Sequence, residues 1–412
     1  MTKFEKYIYD LLKKNQKVKD IVRDFYQLIF SLKPTKSVIS QYKIINRQNY
    51  FFGFHDKSPW SADGKYLLAN HFNIKNRKIL PSDFIDVGYF YGENFAEFST
   101  VDKTSAFNWQ QGCMLQWVGS TDKFIYNYFD KTKHISRIKN VDNQLICELP
   151  RPIAALSPDG KYALSYNFER LAKLAPGYGY ENAKDLELNN YEPSHGLVII
   201  DIENYSEIKL FSIKEIASIN REKSMENAFH YFSHCLFSPS GKKFAFYHRW
   251  TRDLRYTFTR LFTCNLDGSD LYSFPTNGMV SHYGWQNENS LLAYCAVLGT
   301  GDAYYLFEDK TDKAIQIGLN LLTDDGHPSF NPVNKNIFIT DTYPNRFRQS
   351  TLSTYKLMDN IKTDIAILRQ PLQFKDDLRC DLHPRWNRDG TMLCFDSAHT
   401  GIRSLCILKL NQ

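Results

Sequence analysis

Imidazoles held at one phase are the feature of this 412-residue chain richest in chemistry. His234, His327 and His383 each stand four residues ahead of Ser238, Asn331 and Asn387, and His282 keeps that frame against Gln286. Imidazole binds zinc, manganese and related ions well, and groups converging from separate strands hold one ion without close sequence spacing. His282, His327 and His383, with Gln349 after the loop of 341–348, are therefore candidate ligands of a divalent cation: manganese, zinc or calcium. The competing reading of each imidazole is a hydrogen-bonded place in a turn or core.

A second group surrounds His234. Removing a proton from a carbon beside a carboxylate needs a base of suitable pKa and positive charge to stabilise the intermediate. His234 is the candidate base, Tyr283 or Tyr231 the proton donor to a leaving oxygen, and Arg249 or a metal ion the charge partner. Strand alternation puts Tyr247 and Arg249 on one face and His248 and Trp250 on the other. Lys57, Arg249, Arg252, Arg255, Arg346, Arg348, Arg385 and Arg403 concentrate positive charge near the same end, which suits an acidic small molecule or sugar chain. The candidate substrate contacts are His55, Lys57, Gln110, Trp285, Arg346, Arg348 and Arg385. Asp396 and His399 read as groups that bond within their own turn.

The elements that position these residues repeat. Ser-Ala-Asp-Gly-Lys-Tyr (61–66), Ser-Pro-Asp-Gly-Lys-Tyr (157–162), Ser-Pro-Ser-Gly-Lys-Lys (238–243), Asn-Pro-Val-Asn-Lys-Asn (331–336) and Asn-Arg-Asp-Gly-Thr-Met (387–392) are hairpin signals, each followed by an apolar strand. Unit starts near 51, 108, 150, 231, 281, 325 and 381 give seven units at the spacing of propeller blades. The spacing predicts an all-β chain: one seven-bladed β-propeller over 36–412, with an N-terminal strand pairing into the last blade. Blade histidines then face one mouth of the central channel. The third unit is long, and its Pro176-Gly177-Tyr178-Gly179-Tyr180 loop either stacks on sugar rings, or caps the barrel end or contacts a neighbouring subunit.

Residues 1–35 carry apolar positions at three- and four-residue steps beside a lysine-rich face, which predicts an amphipathic helical extension. It packs on the propeller or a partner protein, or lies on an anionic membrane surface. No apolar run spans a bilayer and the start does not read as a secretory leader, so a cytoplasmic place in a bacterium is expected, either free or peripheral at the inner membrane face. The eight cysteines lack paired spacing and read as buried free thiols. A net charge of +6 without a basic stripe calls for no nucleic acid partner, and no glycine-rich cradle calls for a nucleotide or organic cofactor.

The segments Asp-Gly-His-Pro-Ser-Phe (325–330) and His-Pro-Arg-Trp through Phe-Asp-Ser-Ala-His-Thr-Gly-Ile-Arg (383–403) resemble those of seven-bladed propeller polysaccharide lyases. That family includes oligogalacturonate and ulvan lyases, which cleave uronate-containing glycans by β-elimination. The resemblance extends over most of 50–410. It implies a manganese-like ion on His282, His327, His383 and Gln349, with His234 and Arg249 as the acting pair. The family sets two of its metal histidines nearly adjacent, whereas Pro384 and Arg385 follow His383 here. The expected function is a lyase acting on uronate-containing oligosaccharide, its partner an acidic carbohydrate. The alternatives are a cytoplasmic enzyme of cell-surface polysaccharide assembly, such as a glycosyltransferase, and a non-catalytic glycan- or protein-binding scaffold.

Overall fold

Side-chain oxygens explain the repeat. The Ser61 hydroxyl accepts the Tyr66 amide at 3.0 Å and donates to Asp63 at 2.7 Å, and Ser157 treats Tyr162 and Asp159 likewise at 2.9 and 2.6 Å. Asn387 accepts the amides of Thr391 and Met392 at 2.9 and 2.8 Å. Each set closes the turn between the first two strands of a sheet, and Gly160 supplies the positive φ of 77° that such a turn needs.

The computed structural model describes residues 22, 26–30, 36–75, 77–190, 192–254 and 256–410, so most of the expected extension, and Arg255, lie outside the described residues. Seven antiparallel sheets surround a channel, making a seven-bladed β-propeller. From the innermost strand outward, blade 1 is Tyr50–Phe51, Leu67–His71, Ile85–Tyr91 and Glu97–Thr104. Blade 2 is Gln116–Trp117, Lys123–Phe129, His134–Asn140 and Leu145–Leu149. Blade 3 is Ala155–Leu156, Tyr162–Ser165, Leu197–Asp201 and Ser206–Phe211, with a helix at Phe168–Leu174 in its long excursion. Blade 4 is Phe229–Phe237, Lys243–Thr251, Phe258–Asn265 and Tyr272–Ser273. Blade 5 is Val280–Asn287, Ser290–Val297, Gly301–Glu308 and Ala314–Ile317. Blade 6 is Ser329–Phe330, Ile337–Asp341, Gln349–Lys356 and Ile361–Arg369, and blade 7 contributes Arg385–Trp386, Met392–Ser397 and Ser404–Lys409.

Two N-terminal strands finish the ring. Val38–Ser40 adds a fifth strand to blade 6, and Ile44–Gln48 pairs with Ser404–Lys409 as the outer strand of blade 7. Tryptophans seal the blade interfaces: the indole N–H groups of Trp117, Trp285 and Trp386 donate to the carbonyls of Pro59, Leu236 and Ser329 in the blade before, at 2.8, 3.2 and 3.0 Å. Trp285, expected as a substrate contact, is thus an interface residue. All eight cysteines are free and seven are buried.

Most of the expected cationic rim is structural. Arg385 is buried on Asp396, with its guanidinium also donating to Gly53 O at 3.1 Å. Arg403 donates to the carbonyls of Trp109, Leu378 and Arg379, and Gln110 donates to Arg379 O at 3.0 Å. Arg346 lies over the Phe30 ring at 5.2 Å, and buried Arg348 bonds Phe374 O and the Gln27 side chain. Both arginines therefore dock the helical residues 26–30, where Phe30 meets Phe347 at 5.4 Å. Arg348, Arg385 and Arg403 share a physical reason: backbone carbonyls around the blade junctions take up their long cationic side chains. No described helix is long and apolar enough to cross a membrane.

Candidate metal and acid–base centre

Blades 5, 6 and 7 each bring a histidine to the same mouth, at or just before the innermost strand. The link from Phe52 to Pro59 replaces inner-strand structure in blade 1 and carries Phe54 into the middle of the imidazoles. Its ring centroid lies 5.0 Å from His234 and His383, 5.8 Å from His327 and 6.0 Å from His282. His327 is the hub, 4.0 Å from His282 and 4.2 Å from His383 by ring centroid. His55 sits 5.3 Å from His327 and is fixed through Nδ1 to Pro328 O at 3.0 Å. His55, His234, His282, His327 and His383 are all buried.

Carboxylates orient the rings. His282 Nδ1 faces Asp325 at 3.1 Å, and the Ser281 hydroxyl donates to the same carboxylate. Asp341 meets His327 Nδ1 at 2.8 Å, accepts the His327 amide at 2.8 Å, and accepts the amides of Leu382 and His383 at 3.1 Å. One buried carboxylate therefore sets the relation between two blades. Asp381 receives a two-pronged contact from Arg379 at 2.6 and 2.8 Å. One donor atom each from His327, Asp381 and His383 lies within 4.8 Å of the others.

Burial depresses the pKa of His282, the neighbouring His327 adding to the shift against the opposing pull of Asp325. Burial and nearby cationic or imidazole groups hold His55, His234 and His383 well below the ordinary histidine value. Burial would depress His327 too, but Asp341 reverses the shift and raises it. Burial opposes ionisation of Asp381, yet Arg379 keeps its carboxyl below the usual range. The neutral His383 imidazole and the ionised Asp381 carboxylate suit cation binding, whereas His327, which Asp341 holds toward its protonated form, must give up any second proton to join them.

Two further features set this cluster apart. His234 and His383 adopt positive φ values of 51° and 46°, a conformation non-glycine residues keep only where the surroundings enforce it. Buried His383 Nε2 and His234 Nδ1 have no hydrogen-bond partner among the described residues. An unpartnered imidazole nitrogen beside an ionised carboxylate and a second imidazole is a group that a divalent cation would satisfy.

The structure departs from the expected roles in several places. No contact joins Gln349 to the histidines among the described residues; it opens the third strand of blade 6, and its backbone bonds Asn345 in both directions. Asp381 stands with the histidines instead, two residues before His383. Tyr283 donates its hydroxyl to the carbonyls of His234 and Ala245, so it holds the His234 backbone. Tyr231 is buried in the core between blades 3 and 4. Lys57 is paired with Asp56 at 2.7 Å. Arg249 does lie over Tyr247, at 4.8 Å, and its buried Nε has no partner among the described residues.

The long excursion of blade 3 reaches the centre. Tyr178 packs on His234 at 5.5 Å, and Tyr343 from blade 6 packs on His327 at 5.7 Å and beneath Arg379, whose guanidinium is 4.5 Å from its ring. Burial raises the pKa of both phenols, so they stay protonated.

Solved structures share this architecture. An oligogalacturonate lyase from Vibrio parahaemolyticus superposes with a TM-score of 0.62 at 11% identity, over 92% of this chain and 99% of that one. An oligogalacturonate lyase in complex with manganese gives 0.61 at 12% identity, over the same shares, 92% and 99%. No protein-family model and no curated protein sequence matches the chain. At such identity the likeness establishes the fold.

Proposed function

We propose that this protein is a cation-assisted lyase that cuts uronate-containing oligosaccharide by β-elimination. The observation that carries the reading is the pairing of an ion-ready set, His327, Asp381 and His383, with a carboxylate-oriented imidazole, His282, 4.0 Å from His327 by ring centroid. The manganese in one structural neighbour supports the choice of a divalent ion. Bound there, the ion would supply positive charge against the substrate carboxylate.

The chain's own groups account for the rest. His282 gives its Nδ1 proton to the Asp325 hydrogen bond, which leaves the Nε2 lone pair as the base. Nε2 takes the proton from the carbon beside the carboxylate, and that electron pair becomes a carbon–carbon double bond. The bond from the next carbon to the glycosidic oxygen breaks, and the oxygen takes a proton from the Tyr178 phenol. Arg249 steadies the carboxylate from the His234 side. His282 thus replaces His234 as the base in this reading, because a carboxylate orients His282, whereas His234 Nδ1 has no partner among the described residues.

Elemental analysis and an ultraviolet assay for the conjugated double bond, run on oligogalacturonate, test this together. One ion per chain and rising absorbance are expected, both lost in His383→Ala. An Asp325→Asn variant should keep the ion while kcat falls by about 10²-fold. A protein that holds no ion and forms no conjugated product would sink the proposal. Asp341→Asn is expected to weaken the ion about 10- to 100-fold, the usual cost of removing a group that orients metal ligands. Titration with manganese checks it, and unchanged affinity would show that Asp341 does not set the ligand positions.

A further inference from the structure

The channel has a second mouth. Innermost strands run from the histidine end to the Ser-Pro-X-Gly turns, and at the turn end a cavity of about 420 Å³ opens between Leu156 to Pro158 of blade 3 and Leu236 and Phe237 of blade 4. That volume lies within the range small-molecule sites occupy, roughly 300–1,000 Å³. Asp56 and Leu236 border both this cavity and a void of about 10 Å³ beside His55, His234 and His282, so the two ends are separated by little more than the Asp56 link.

Its polar groups are incomplete without an occupant. Lys57 directs its ammonium at Asp56, 2.7 and 2.8 Å from the two oxygens, with both side chains 8% exposed. An ammonium carries three N–H groups, so one is left over for a ligand. Ser58 Oγ is buried with no partner among the described residues. Arg388 uses Nε on Trp60 O at 3.1 Å, and no carboxylate faces its guanidinium among the described residues. Two cations against one carboxylate leave an excess of one positive charge. Trp117, Leu156 and Phe237 give apolar wall.

We propose that this lower cavity binds a small hydroxylated carboxylic acid, with the carboxylate on Arg388 and the spare Lys57 N–H, a hydroxyl on Ser58, and carbon faces on the Trp117 side. The inference rests on the cavity and not on the lyase reading.

Calorimetric titration with D-galacturonate, D-galactose and inorganic phosphate tests it, using the full chain and three variants. Galacturonate should bind the wild type and His383→Ala alike, and bind Arg388→Ala and Ser58→Val at least about tenfold more weakly, a loss of about 1.4 kcal/mol. Melting temperatures close to wild type establish that those two variants remain folded. Galactose and phosphate should bind much more weakly than galacturonate. No galacturonate binding to the wild type would overturn the proposal, as would binding that survives Arg388→Ala and disappears in His383→Ala. Phosphate binding as tightly as galacturonate would overturn the assignment to an organic acid.

Discussion

Acidification from about pH 7 to about pH 4 is expected to cost the propeller several kcal/mol, with blade 4 as the largest named contributor. His230 Nδ1 and His248 Nε2 are 3.0 Å apart in rings inclined by only 4°, and Arg260 Nη2 lies 3.1 Å from His248 Nδ1. A guanidinium only donates, so His248 Nδ1 is the acceptor and its proton sits on Nε2, which donates to His230. A second proton on His248 would face Arg260, and one on His230 Nδ1 would face the His248 N–H. Burial first, then Arg170, Arg260 and Arg221 against a favourable backbone bond, lowers His230 to about 4; burial and Arg260 push His248 well below its ordinary value.

The sign follows from the depressed folded value. Above about pH 6.5 both folded and unfolded rings are neutral and the full stability is present. As pH falls from 6.5 toward 4 the unfolded ring takes a proton that the folded one refuses, and His230 alone accounts for about 3 kcal/mol. His55 and His234 add the same sign. Equilibrium denaturation at a series of pH values should show the loss beginning near 6.5, with a shallower slope for His230→Gln. A midpoint that stays constant down to pH 4.5 would refute the neutral-pair account.

The fold was legible because its turn chemistry is local. Ser61 and Ser157 bond residues within five positions, and the same short pattern recurs with blade spacing. The phase of His282, His327 and His383 was legible for the same reason, since equivalent positions at the start of innermost strands converge on one axis. Their carboxylates were harder to see. Asp325 stands two residues before His327 but bonds His282 of the preceding blade, and Asp381 stands two residues before His383 yet shares its candidate ion set with His327. The repeated Asp-X-His was the available signal, and it points across blades and not along the chain. The arginines misled because charge in a sequence does not reveal which carbonyls a blade interface leaves unpaired: Arg385 and Arg403 end on backbone oxygens. Asp396 likewise reads as a turn residue but bonds the start of the propeller, more than 340 positions away.

That last contact carries the second large prediction. Asp396 accepts the amides of Phe52 and Gly53 at 3.1 and 2.9 Å and holds Arg385 at 3.2 Å, with both charged side chains 1% exposed. Arg385 closes the loop by donating to Gly53 O at 3.1 Å, and its guanidinium lies 5.0 Å from the Phe52 ring. Gly53 cannot be exchanged for another residue here, because at φ 121° a Cβ would stand 2.6 Å from the Gln111 carbonyl carbon. Asp396→Ala leaves a guanidinium buried without its anion and two amides without acceptors, an expected loss of about 3–5 kcal/mol. Replacing both partners, Asp396→Leu with Arg385→Met, should cost distinctly less, because no buried charge is then left unpaired. The same latch fixes the root of the link that carries Phe54 and His55 among the imidazoles, so ion affinity should fall in Asp396→Ala even below its unfolding midpoint. Denaturation and manganese titration of the two variants separate the effects. Equal destabilisation of single and double variants would mean that packing, and not the ion pair, closes the first blade onto the last.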